Sequence, residues 1–255
     1  MRGLWATLRN AFAEVVAKPL ALAAQMSVMM INDFVWVVFW VLFFDRVGTL
    51  GGWDRNSILL LQAVLTTAGG LSLGLFTNAR RIGAMAVAGD LDAVLALPVA
   101  PLPFVLLRRI EPVNLGDLAF GIGLFAIACN PTPARALAFA LVVLASTTLL
   151  TGFLVLTGAL AFFLGRSESG ELGFHSMLLL GAYPVDLFAG AIRILLFTVV
   201  PAAFVSAVPA RLIEEFDAGR ALALGGAATV FAIAATITFT LGLRRYTSGS
   251  VWTRA

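Results

Sequence analysis

One cysteine, one histidine and one lysine are present among 255 residues. Each scarcity excludes a class of chemistry. Cys129 alone can make neither an internal disulfide nor a cysteine zinc site. His175 alone rules out two-histidine motifs such as HExxH. Lys18 is followed by Pro19, and a phosphate-gripping loop needs Gly-Lys-Ser/Thr, so no Walker A site is written here. Charge is scarce too. Charged residues make up 12% of the chain, against about 25% in soluble domains.

What is there is apolar. Hydrophobic residues account for 60% of the chain and the mean hydropathy is +0.98, which points to an integral membrane protein. The length suits one bundle of spans with little left for a soluble domain. The net charge is +3, but the basic residues are scattered between apolar runs. They form no footprint for nucleic acid.

A helical span needs about 20 apolar residues to cross about 30 Å of hydrocarbon. Leu20–Phe44, Ile58–Phe76, Leu137–Leu164 and Ala221–Leu243 satisfy this. The first of these, 25 residues long, is too long for a signal-peptide core. Val113–Cys129 is shorter and contains Asp117; it has room to begin earlier, in the leucines after Pro103. Leu172–Ala210 is too long for one span and barely enough for two. Pro184, Pro201 and Pro209 divide it, and proline breaks the helical ladder. It reads as a fifth span of broken helices, part of which dips into the membrane without crossing. The expected fold is therefore an all-α integral membrane protein with six transmembrane helices.

Short-loop arginines and lysines set orientation. With the N-terminus inside, 11 of them fall inside and 5 outside, with Arg193 in the broken segment. Both ends are then cytoplasmic. Residues 1–19 form no span. Leu4, Leu8, Phe12 and Val15 recur every three or four positions, with Arg2, Arg9 and Glu14 between them. That is the pattern of an interfacial amphipathic helix, ahead of a transmembrane domain over 20–255.

The longest cytoplasmic loop, 77–112, contains GDLDAVLALPVAPLPFVLLRR, residues 89–109. Asp90 is placed to cap a short helix, Asp92 suits its first turn, and Pro98 ends it. Leu91, Val94 and Leu95 would share one face. Arg80–Arg81 and Arg108–Arg109 would hold it at the membrane. A lone helix of about eight residues is unstable in water. It must pack either on the chain's own spans or on a soluble partner.

RRIGAMAVAGDLDAVLALPVAP resembles the loop between the second and third spans of ABC-2 type permeases, in which an Arg-rich lead, a glycine, a short acidic-leucine helix and a proline recur. Gly89, Leu91, Asp92, Leu95 and Pro98 match the G-x-L-D-x-L-L-x-x-P form of a six-span subgroup; Val94 stands where that group has leucine. YPVDLFAGAIRILLFTVVPAAFVSAVPA, residues 183–210, is similar to the same subgroup in its Tyr-Pro, arginine, proline and final Pro-Ala. The resemblance covers nearly the whole chain. It implies that the loop is a coupling element for a separate ATP-binding subunit, two copies per complex. Gly89, Asp90, Leu91, Asp92, Val94, Leu95, Pro98, Arg80 and Arg81 would serve that contact. ATP and Mg would sit on the partner, leaving this chain without a cofactor or metal of its own. A second permease, identical or homologous, would complete the transporter. The resemblance further implies export, in a bacterial-type inner membrane.

Asn32 and Asp33 fall near the middle of the first span, where charge is costly and faces a cavity or a partner. Two readings stand: a contact on the translocation path, for instance for a small or amphiphilic cation, or a buried arrangement with another span, either an ion pair or a neutral, protonated Asp33 bonded across, Arg193 being one conceivable partner. Asp117 lies nearer the inner end of its span and reads as structural. Ser146, Thr147, Thr148 and Thr151 read as packing residues. GRSESGELGFH, residues 165–175, brings Ser, Glu and His together, but at a cytoplasmic turn. Asp90 and Asp92 lack further carboxylates at helical spacing for a metal. The alternatives are a polytopic enzyme acting on lipids, for which the constellation is inadequate, and a membrane assembly protein without transport.

Overall fold

The computed structural model describes residues 2–165 and 168–246. The expected Arg166 and C-terminal Arg254 contributions to orientation lie outside the described residues. The described residues fold as helices joined by turns. In chain order they are α1 (Arg2–Val16), α2 (Pro19–Val47), α3 (Arg55–Leu75), α4 (Ile82–Ala88), α5 (Asp92–Leu95), α6 (Pro101–Leu107) and α7 (Pro112–Ala128), then α8 (Pro133–Ala159), α9 (Ala161–Leu164), α10 (Ser169–Gly181), α11 (Gly190–Thr198), α12 (Ala207–Glu214) and α13 (Ala218–Arg245).

Four helices are long and apolar enough to cross a membrane: α2, α3, α8 continued by α9, and α13. Two bent pairs also qualify, α6 with α7 at 79° and α11 with α12 at 61°. The described residues thus hold four candidate spans, or six, the number expected, if each bent pair is one broken span. The leucines after Pro103 do not extend α7 backward. They form the separate α6, because Pro112 opens α7 and the chain turns sharply before it. The broken segment is confirmed in kind: α10, α11 and α12 are separated by turns at Pro184 and Pro201.

Two interfaces organise the bundle. α3 packs against α7 and, less extensively, against α2 and α8, and α8 packs against α13. The first interface is close because glycine permits it. A Cβ on Gly70 would collide with the backbone of Leu118, and one on Gly116 with the backbone of Met26 on α2. Small residues at membrane depth let backbones approach and so gain van der Waals contact without any hydrophobic drive. Across α3 and α8 the hydroxyls of Ser72 and Thr151 pair at 2.9 Å, while Ser146 reaches the Phe204 carbonyl at 3.4 Å. Thr148 bonds back to Leu144 of its own helix.

The chain alternates between two ends. α1, the 77–112 loop and the last turn of α13 share one end, where α1 packs on α6. The α2–α3 turn, α11, α12 and the first turn of α13 share the other. The first is called the loop end and the second the hairpin end.

Candidate functional site

The loop end holds more structure than one helix. α4 precedes the acidic stretch and stops at Gly89, whose φ of 81° is left-handed. The Asp90 N–H donates to Met85 O and the Gly89 N–H to Ala86 O, a paired closure that suits glycine at this position. The acidic helix therefore starts two residues later than Asp90: α5 spans only Asp92–Leu95, with Leu91 at its N-cap and no side-chain cap bond. Asp90 lies in the preceding turn. Pro98 lies in the exposed turn beyond, after the helix has ended.

The expected apolar face also divides. Leu91 and Val94 are 1% and 2% exposed, packed into the chain's own core. Leu95 is 44% exposed. Both readings of the loop thus apply to different residues. Leu91 and Val94 seat it on the spans, whereas Val87, Leu95 and Leu97 stand out from it, beside exposed Asp90 and Asp92. Other ties hold the loop down. Asn78 Nδ2 donates to Val105 O at 2.8 Å inside the protein, and the Glu111 N–H donates to Gly74 O at 2.8 Å. Arg80 turns inward, 4.0 Å from Glu171 and 4.9 Å above the Phe174 ring, both on α10. Arg81 is half-buried beside it. Arg109 pairs with Glu111 at 3.4 Å. A cleft of about 590 Å³ opens between α1, α2 and the Arg108–Pro112 turn.

The second site lies inside the bundle. Asp33 is the central residue of α2. It does not pair with Arg193. Asp33, its neighbour Asn32 and Asp117 of α7 line one cavity. Asn114 Nδ2 donates to Asp117 Oδ2 at 3.4 Å, one turn away. Both acids are buried, at 8% and 7% exposure. Asp33 Oδ2 and Asp117 Oδ1 find no donor among the described residues. They border a cavity of about 400 Å³ walled by Asn32, Trp36, Gln62, Thr66, Phe174 and His175, among others. Asp117, read as structural, lines the same cavity as Asp33. Sequence reading missed this partnership. Its available signal was Gly116, next to Asp117, which lets α7 approach α2 at Met26.

Arg193 belongs to the hairpin end. Its guanidinium donates to Asp186 Oδ1 at 2.9 Å, and Asp186 Oδ2 accepts Trp53 Nε1–H at 2.9 Å. Electrostatics explains the choice: Asp186 is seven residues away and near the surface, while Asp33 is in mid-span. Trp53 is fully buried and ends a tight turn in which Gly51 and Gly52 both have positive φ. That conformation suits a two-residue hairpin and little other than glycine. Arg211 stacks 4.0 Å over the Trp53 ring, donates to Gly52 O at 2.8 Å and pairs with Glu214 at 3.1 Å. At the start of α3, the Ser57 N–H donates to the Asp54 carboxylate and holds that carboxyl below its usual range.

His175 lies on α10, one turn from Glu171, and donates no help to a serine: its Nδ1 contacts the Glu171 carbonyl at 2.8 Å. Ser167, the other half of that idea, lies outside the described residues.

Comparison with curated proteins and with solved structures finds no match. The family model described as ABC-2 family transporter protein matches residues 29–250, which takes in most of α2 and everything after it through α13. With apolar helices traversing the bundle, a folded loop at one end and broken helices at the other, the chain belongs to the ABC-2 transporter family.

Proposed function

We propose that this chain is the permease half of an ATP-driven exporter for a small or amphiphilic substrate. ATP and Mg bind to a separate subunit, two copies of which serve a pair of permeases, identical or homologous. The membrane is a bacterial cytoplasmic membrane, with the loop end and both chain ends in the cytoplasm. The observation that carries this reading is the form of the 77–112 loop. It is a folded cap, anchored by Leu91, Val94, Asn78 and Arg80, which leaves Val87, Leu95 and Leu97 uncovered next to two exposed acids. Apolar side chains held out on a short helix suit a groove on a partner. Lys18-Pro19 leaves this chain no phosphate-gripping lysine, so the energy must come from elsewhere.

The contact face is accordingly revised to Leu95, Leu97 and Val87, with Asp90 and Asp92 at its rim. Gly89 and Pro98 shape the turns that present it. Arg80 acts from beneath by anchoring it to α10, with Arg81 half-buried beside it.

The test is a pull-down of the full-length permease in mild detergent, with the co-purifying chains identified. Wild type is expected to retain an ATP-binding cassette subunit. Leu95→Glu should lose that subunit and transport while remaining in the membrane at normal level. A Leu95→Glu, Leu97→Glu permease that keeps both its ATPase and its transport would sink this reading.

A further inference from the structure

We propose that Asp33 and Asp117 form a binding site for a small organic cation, in the cavity between α2, α3, α7 and α10. Both acids are buried and both line this cavity. None of the described residues that line the cavity is Lys or Arg, and Arg193 is engaged with Asp186 at the hairpin end. The groups facing the acids are Asn32 from α2, Gln62 and Thr66 from α3, Asn114 from α7 and His175 from α10. The nearest charged residue along α10, Glu171, lies beside Arg80.

Two carboxylate oxygens, one from each acid, remain without a donor although each residue is more than nine-tenths buried. Ionisable side chains at membrane depth are costly and are candidates for a ligand pathway, and two carboxyl groups suit a cation. No group of three or more His, Cys, Asp and Glu side chains suited to a metal ion occurs among the described residues, which disfavours a divalent cage. The rest of the wall is right for an organic body. Trp36 and Phe174 present aromatic surface, and Leu65, Leu178 and Leu179 present aliphatic surface. An ammonium gains from ring faces as well as from the acids. A cavity of about 400 Å³ has the volume of small-molecule pockets, roughly 300–1,000 Å³. That the cation is transported rests on the permease reading; that it binds does not.

The test uses benzyltrimethylammonium as probe and the full-length permease, purified in mild detergent with whatever chains accompany it. Equilibrium dialysis should show one cation bound per permease chain. Asp33→Asn with Asp117→Asn should weaken binding at least tenfold, and Arg193→Gln should leave it unchanged. A second measurement needs no variant. Dicyclohexylcarbodiimide reacts with protonated carboxyls in apolar surroundings. It should modify Asp33 or Asp117 in wild type, read by peptide mass spectrometry, and the cation should slow that reaction. Unchanged affinity in the double variant overturns the proposal. If the double variant fails to fold, labelling of neither acid, or labelling indifferent to the cation, overturns it. The two readings fail separately. Cation binding without a co-purifying ATPase removes the transporter and keeps the site; a retained ATPase with cation binding indifferent to both acids removes the site alone.

Discussion

The two ends of this molecule are built on opposite plans. At the hairpin end, polar groups lock to one another: Trp53 to Asp186, Asp186 to Arg193, Arg211 to the Trp53 ring, Gly52 and Glu214. At the loop end, apolar groups are divided between inside and outside: Leu91 and Val94 in the core, Leu95 and Leu97 in the open. The hairpin end exposes apolar side chains too, among them Leu50, Leu187 and Phe216, so what separates the ends is the polar lock at one and, at the other, the short helix on which the proposed docking rests.

The strongest way to break that contrast is to open the lock. Trp53→Ala removes a fully buried ring, the Asp186 bond and the surface on which Arg211 rests. A loss of about 3–5 kcal/mol is expected, as for large aromatic truncations in cores. Thermal unfolding in detergent measures it, and a change below about 1 kcal/mol would show that the hairpin end is not a lock.

Next in size is the split on the loop. Leu91→Ala should cost about 2–5 kcal/mol of stability, because it leaves a void beneath the cap. Leu95→Ala should cost less than about 1 kcal/mol, being largely in solvent already. The order reverses for partner retention, where Leu95 matters in a folded protein. Equal stability losses for the two leucines would erase the distinction between seat and face.

Much of this was legible in the residues. The spans followed from length and hydropathy, since a membrane helix must satisfy its backbone internally and announces itself as an unbroken apolar run. The broken segment followed from Pro184 and Pro201; Pro209, expected to divide it further, sits in the first turn of α12, where proline's missing N–H costs nothing. The content of the loop was less legible. IGAMAVA reads as apolar filler, yet it forms α4, because Gly89 supplies a left-handed stop that only tertiary packing reveals. Asp90 was assigned a cap that the chain does not use, since α5 starts at Asp92 and puts Leu91, not Asp90, at the N-cap. In the cavity, Asp33 stood out as a charge at mid-span, but its partner did not. Which of several polar residues meets it depends on helix rotation and crossing, and neither is written in hydropathy. Arg193 was the natural complement by charge, and Asp117 is the neighbour by geometry.

Smaller effects sharpen the comparison further. Asp54→Ala should cost about 1 kcal/mol through loss of the α3 cap. Because folding holds the Asp54 carboxyl below its usual value, the stability it adds is present above that value. It disappears as pH falls through the lower folded value, so wild type and Asp54→Ala should converge in unfolding temperature in acid and diverge toward neutrality. Convergence at neutral pH would mean the cap is idle. Arg193→Gln should have the least effect, about 0.2–1 kcal/mol, since its partner Asp186 keeps the Trp53 bond and Arg193 is half-exposed, its charge screened by solvent. A loss above about 2 kcal/mol would place Arg193 within the lock rather than at its rim.

The clasp of Arg80 on α10 ties these regions together. Arg80 holds the first two turns of α10 through Glu171 and Phe174, and Phe174 with His175 and Leu178 walls the carboxylate cavity. The 13 residues of α10 make a rod about 20 Å long. One rigid body thus touches the seat of the loop and the wall of the cavity. Linkage through a shared body is reciprocal by thermodynamic necessity. Under the proposed roles of the two sites, whatever factor an occupied cavity applies to the grip of the loop on its partner, the partner applies the same factor to the affinity of the cavity.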